Sequence, residues 1–138
     1  MEWSLIKSLN LYSKEEIRCL NPINIAYIGD CVYELYLRSH VMKKFGNTNS
    51  NKLHLEVIKY VNAGAQRAAY FKVKELLTDD EKIYFKKGRN AKTKTIPKNS
   101  SIFDYRVSTG FETIIGYLYI TGNFSRLDLI VGEILNCI

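Results

Sequence analysis

Two acidic residues stand where an acid is costly. Asp30 lies in Ile25-Ala26-Tyr27-Ile28-Gly29-Asp30-Cys31-Val32-Tyr33-Glu34, and Glu112 lies in Ser108-Thr109-Gly110-Phe111-Glu112-Thr113-Ile114-Ile115-Gly116-Tyr117. Each sits in an apolar stretch, and a carboxylate withdrawn from water either finds a compensating partner or takes up a proton. A bound cation is one such partner. A salt bridge or a helix end is another, and Asp30 alone does not choose between them. Two acids centred on two core helices of a small bundle would face each other across a site suited to a hard divalent metal with oxygen ligands. Gly29 and Gly116 would let those two helices approach closely. Glu34, one turn after Asp30 on the same face, is either an outer-shell partner of that site or half of an ordinary i, i+4 ion pair with Arg38, the ion pair being the simpler reading.

A second constellation is basic. From Lys86 to Lys98 the chain carries Lys86, Lys87, Arg89, Lys92, Lys94 and Lys98 without an acid, interleaved with Asn90, Thr93 and Thr95. Positive charge mixed with amide and hydroxyl donors suits the phosphates and 2′-hydroxyls of duplex RNA, with a solvated basic loop as the alternative. Lys52 and His54, with Asn51 at the start of a helix, form a smaller contact of the same kind. The formal charge of +6 favours a polyanionic partner only weakly. His40 and His54 have no ligand spacing with the cysteines, and there is neither a glycine-rich phosphate loop nor a nucleophile elbow, which argues against a zinc enzyme, a nucleotide-binding loop or a serine hydrolase.

The elements that must position these groups are helical. Ser13 with Glu16 and Thr78 with Glu81 have capping-box spacing, each ahead of an apolar-periodic stretch. Ile25, Ile28, Val32, Leu35, Ser39 and Met42 follow three-four spacing with further apolar residues on the other faces, which predicts a helix buried nearly all round and ended by Gly46 and Asn47. Two short helices follow, broken near residues 62–64, then a short helix over 79–87, a loop over 88–99, a helix from Ser101 through Tyr119 and a last one over about 125–135. No strand alternation is sustained. The expected fold is an all-α, compact helical bundle forming a single domain over 1–138. Cys19, Cys31 and Cys137, odd in number and set among apolar residues, predict a reducing cytoplasm. The amino terminus lacks a signal-peptide layout and no run reaches membrane-spanning length, so no membrane association is expected. Most of the ten tyrosines and six phenylalanines fall at helical spacing, as core or subunit interface rather than as base-stacking platforms.

Residues Tyr27 to Glu34 together with Gly110 to Tyr119 resemble the two acidic motifs of the ribonuclease III catalytic domain, and more closely those of its short bacterial branch, Mini-ribonuclease III. Asn51-Lys52-Leu53-His54, Gly88-Arg89-Asn90-Ala91-Lys92 and Pro97-Lys98-Asn99 extend that resemblance over nearly the whole chain. It implies an all-α endonuclease domain acting as a homodimer, each subunit cutting one strand of duplex RNA with magnesium ions, Mn2+ serving as a substitute, and without the separate double-stranded-RNA-binding domain of longer relatives. It also implies a role in maturing the precursor of the large (23S) ribosomal RNA. The motif aspartate falls on Asp30 and the late glutamate on Glu112, which makes these the expected catalytic and metal-binding residues. Longer relatives carry further acids where this chain has Ala26 and Thr109, so the carboxylate set is sparse. Two other readings stay open: a basic helical protein that grips RNA without cutting it, and a helical metal-dependent nucleotide pyrophosphohydrolase, which normally has a denser set of acids.

Overall fold

Helix starts follow the side chains that cap them. In the computed structural model, which describes residues 11–92, 98 and 101–138, Ser13 and Glu16 form a reciprocal capping box ahead of α1 (Lys14–Arg18), and Thr78 and Glu81 form another ahead of α5 (Asp79–Asn90). Asn21, with Pro22 at the first helical position, opens α2 (Pro22–Phe45), and Gly46 at φ 71° closes it. Asn49 caps α3 (Ser50–Val61); Asn62 ends that helix and caps α4 (Ala63–Val73), so the break expected near 62–64 is made by one residue. A 3-10 turn over Lys74–Leu76 leads towards α5, Ser101 caps α6 (Ile102–Ile120), and α7 (Phe124–Leu135) ends the bundle. No strand occurs among the described residues, as an all-α reading requires.

Helix α6 is the axis on which the others pack. α2, α4, α5 and α7 all lie against it, and Phe111, Ile114, Ile115 and Leu118 are buried at its centre. Two glycines set the crossing of α2 and α6. A methyl group on Gly29 would lie 1.8 Å from the Glu112 carbonyl oxygen, and one on Gly116 would lie 2.0 Å from the Ile25 carbonyl oxygen. Backbone therefore packs on backbone, and any side chain at either position would force the helices apart. This fixes the height of Asp30 on α2 against Glu112 on α6.

Three expectations need correction. First, α2 is not buried nearly all round. Its inner face is Ile25, Gly29, Val32, Tyr33, Leu37 and Val41, while Tyr27, Cys31, Leu35 and Met42 are exposed along the outside of the chain, and Asp30 itself is exposed. The long apolar run had concealed two distinct faces. Second, the loop expected to begin at Gly88 begins after Asn90, because Gly88 is a contact glycine rather than a breaker: a methyl group there would lie 2.1 Å from Thr113 Oγ1 and 2.9 Å from the Thr109 carbonyl oxygen. Residues 93–97, 99 and 100 of that stretch lie outside the described residues. Third, Cys19, Cys31 and Cys137 are free thiols as expected, but each is exposed rather than set among apolar side chains.

Candidate active site

Asp30 and Glu112 meet across the α2–α6 crossing. Glu112 is half-buried, and its carboxyl group hydrogen-bonds the carboxylate of Asp30. Burial is the largest influence on Glu112, followed by the hydrogen bond to Asp30 and the repulsion between the two acids; together they push its carboxyl up to about 8, against an ordinary 4.5. The pair thus holds a proton that a bound cation would replace. The side-chain amide of Gln66 opposes this rise, its Nε2 donating to Glu112 Oε2 at 3.3 Å.

Gln66 had not been singled out from the sequence. It is 2% exposed and belongs to the inner face of α4 with Ala69, Tyr70 and Val73. Spacing of three and four places it in core register, and a long polar side chain at a core position was the signal that would have found it. Ala26 and Thr109, where longer relatives carry acids, are both buried, and the Thr109 hydroxyl is spent on the Tyr105 carbonyl at 3.0 Å. Among the described residues no cluster of three or more His, Cys, Asp or Glu side chains stands ready for a metal. The protein donors at this crossing are two carboxylates, and oxygen donors of that kind suit a hard divalent ion that completes its shell with water and phosphate oxygen.

The remaining predicted residues are not gathered at this point. Glu34 forms the i, i+4 ion pair with Arg38, at 2.7 Å on the outside of α2. Lys52 and His54 are exposed on α3, with Lys52 lying 5.6 Å over the Phe45 ring. The basic run is divided by the helical turn of α5. Lys86 and Arg89 line one side, towards Tyr70 of α4, and Lys87 lines the other, 4.8 Å over the Tyr84 ring and beside Lys14 and Arg18. Arg89 Nε donates to Asn90 Oδ1 at 3.2 Å, Lys92 and Lys98 are exposed, and Lys94 lies outside the described residues.

The crossing of α2 and α6 with its paired acids falls inside a span, residues 24–123, that matches the model of the Ribonuclease III domain. The chain is also 42% identical over 125 residues to the Mini-ribonuclease 3 of Clostridium tetani, covering 91% of this chain and 83% of that one. The chain belongs to the ribonuclease III family. The Mini-ribonuclease 3 of Streptococcus pneumoniae is likewise 42% identical, over 85% of this chain and 92% of its own. A crystal structure of a Fusobacterium nucleatum protein superposes with a TM-score of 0.80 at 27% identity, covering 91% of this chain and 98% of that one. The resemblance to the Mini branch of the ribonuclease III family read from the motifs therefore holds across the chain, and the family's span takes in Asp30, Gln66 and Glu112 together.

Proposed function

We propose that this chain is a divalent-metal-dependent endoribonuclease that cleaves double-stranded RNA, with Asp30 and Glu112 as its metal-holding catalytic pair. The observation that carries the reading is the carboxyl–carboxyl contact at the glycine-lined crossing, in a member of the ribonuclease III family. Two acids forced to share a proton are poor structural partners and good ligands for magnesium, for which manganese is the expected substitute. A divalent ion held there supplies an activated water and stabilises negative charge on the phosphate and on the leaving 3′-oxygen. Asp30, on the solvent side, is the accessible ligand. Glu112 anchors the pair from within, and Gln66 holds one of its oxygens in place. Hydrolysis by an activated water calls for no covalent enzyme intermediate.

The working unit is a homodimer. Tyr27, Leu35 and Met42, at 77%, 66% and 59% exposure, are apolar side chains on the outside of α2, surface that a second copy of the chain would cover. Two symmetric sites would then address the two strands of a duplex. By its likeness to the Mini branch, the substrate is the precursor of the large ribosomal RNA, and the free cysteines fit a reducing cytoplasm. Lys52, His54, Lys86, Arg89, Asn90, Lys92 and Lys98 are proposed contacts to the duplex, together with Lys94; Lys87, on the far side of α5, is a peripheral one.

The test incubates the protein with duplex and single-stranded RNA, with and without Mg2+, beside Asp30→Asn and Glu112→Gln. The expected result is Mg2+-dependent cleavage of the duplex alone, lost in both variants. Cleavage without metal, or full activity in both variants, rejects the assignment.

A further inference from the structure

The fold assembles a basic groove that joins Lys86 and Arg89 of the basic run to two lysines outside it. It lies between α4 and α5, encloses about 270 Å³, and is floored by Tyr70 stacked on Phe85 at a ring separation of 4.0 Å. Lys74 enters from the turn after α4, and Lys82, Lys86 and Arg89 enter from successive turns of α5, with Glu75 as the single acid on the rim. Lys74, Lys82 and Lys86 are exposed, and Arg89 is half-buried 5.7 Å over the Phe85 ring. Among the described residues none of the four is ion-paired, whereas Lys14, Arg38, Lys59, Arg67 and Arg126 all are. Four cations against one acid on a fixed helical frame form a site of strong positive potential.

The groove is also tied to the paired acids. Tyr70 follows Gln66 by one turn on the same face of α4, a rise of about 6 Å. Phe85 packs under Gly110, where a methyl group would lie 2.7 Å from its ring, and Gly110 precedes Glu112 by two residues. We propose that this groove is a phosphate track: it grips the backbone of the duplex arm beyond the cleaved step, with Lys74 and Lys82 as contacts additional to Lys86 and Arg89. The proposal rests on the duplex-RNA reading above and extends its footprint to a second cleft. The stacked rings serve as a rigid floor rather than a base-stacking platform, because Tyr70 and Phe85 are buried against each other.

The test measures binding to a duplex of about three helical turns and to one of about a single turn, across salt concentrations and without divalent metal, for the wild type, Lys74→Ala/Lys82→Ala and Glu75→Gln. Each phosphate contact removed should lower the salt slope by about 1, so the double variant should lose about 2 and bind the long duplex roughly tenfold more weakly. The short duplex should bind unchanged, and Glu75→Gln should bind the long one more tightly. In Mg2+ the double variant should show a raised KM on long duplex and an unaltered kcat. All these residues are exposed, and thermal unfolding confirms that the variants fold. An unchanged slope in the double variant, beside a wild type that still cleaves duplex RNA, overturns the groove alone. Failure of the wild type to cleave any duplex overturns the underlying reading instead.

Discussion

Two inward-facing glutamates in this bundle, Glu81 buried and Glu112 half-buried, live under opposite conditions. Glu81, at the start of α5, is 2% exposed and fully provided for: Arg126 donates from Nε at 2.8 Å and from Nη2 at 3.0 Å, and the Thr78 backbone amide donates at 3.0 Å. Arg126 also donates to the Leu76 carbonyl, tying α7 to the turn before α5. Glu112 has one amide donor at 3.3 Å and a second acid as its neighbour. Burial alone therefore does not mark a functional acid. What separates the two is the balance of donors, which is complete at Glu81 and deficient at Glu112, where a cation would complete it.

The contrast is broken most severely by Arg126→Ala, which leaves Glu81 buried without its guanidinium and should cost about 3–5 kcal/mol in chemical denaturation. A neutral result would remove Glu81 as the satisfied member of the comparison. Glu112→Gln should behave oppositely, abolishing cleavage while leaving the metal-free protein at least as stable as the wild type at pH 8. The sign follows from the raised carboxyl of Glu112: between about 4.5 and about 8 the folded state holds a proton that the unfolded state has released, so stability falls as pH rises through that window. A urea titration series should show this fall in the wild type and a flatter profile in Glu112→Gln. Equal pH dependence in both would place the strain elsewhere.

Gln66→Ala sharpens the comparison by removing the amide that donates to Glu112. Cleavage should drop by about 10–100-fold, as for other residues that orient a ligand, and the pH–rate profile should move upward because Glu112 then ionises less readily. Gln66→Asn should recover part of the rate; a lower rate with an unmoved profile would make Gln66 merely structural. Arg38→Ala should have the smallest effect, within about 1 kcal/mol of wild-type stability, since its pair with Glu34 is largely exposed. Collapse of cleavage in Glu34→Gln would instead bring Glu34 into the site.

The all-α fold was readable because caps and apolar periods agreed. Both capping boxes formed, and the paired acids with Gly29 and Gly116 met as their placement suggested. What escaped depended on tertiary partners. Gly88 reads as a breaker until α6 is seen against it, and the apolar run around Asp30 hides an outward face that only packing reveals. Gln66 declares itself only once α4 meets α6, and the helical turn splits Lys86 from Lys87 although they are adjacent in the chain. For these residues linear order does not show the partners they meet across the bundle.

The central claim, that Asp30 and Glu112 hold a divalent ion, is tested most directly by thermal unfolding at pH 8 with and without Mg2+. Binding to the folded state alone raises the unfolding temperature, increasingly as the ion concentration exceeds its Kd. The wild type should gain clearly on adding Mg2+, and Asp30→Asn should lose that gain. An equal gain in Asp30→Asn would contradict the assignment.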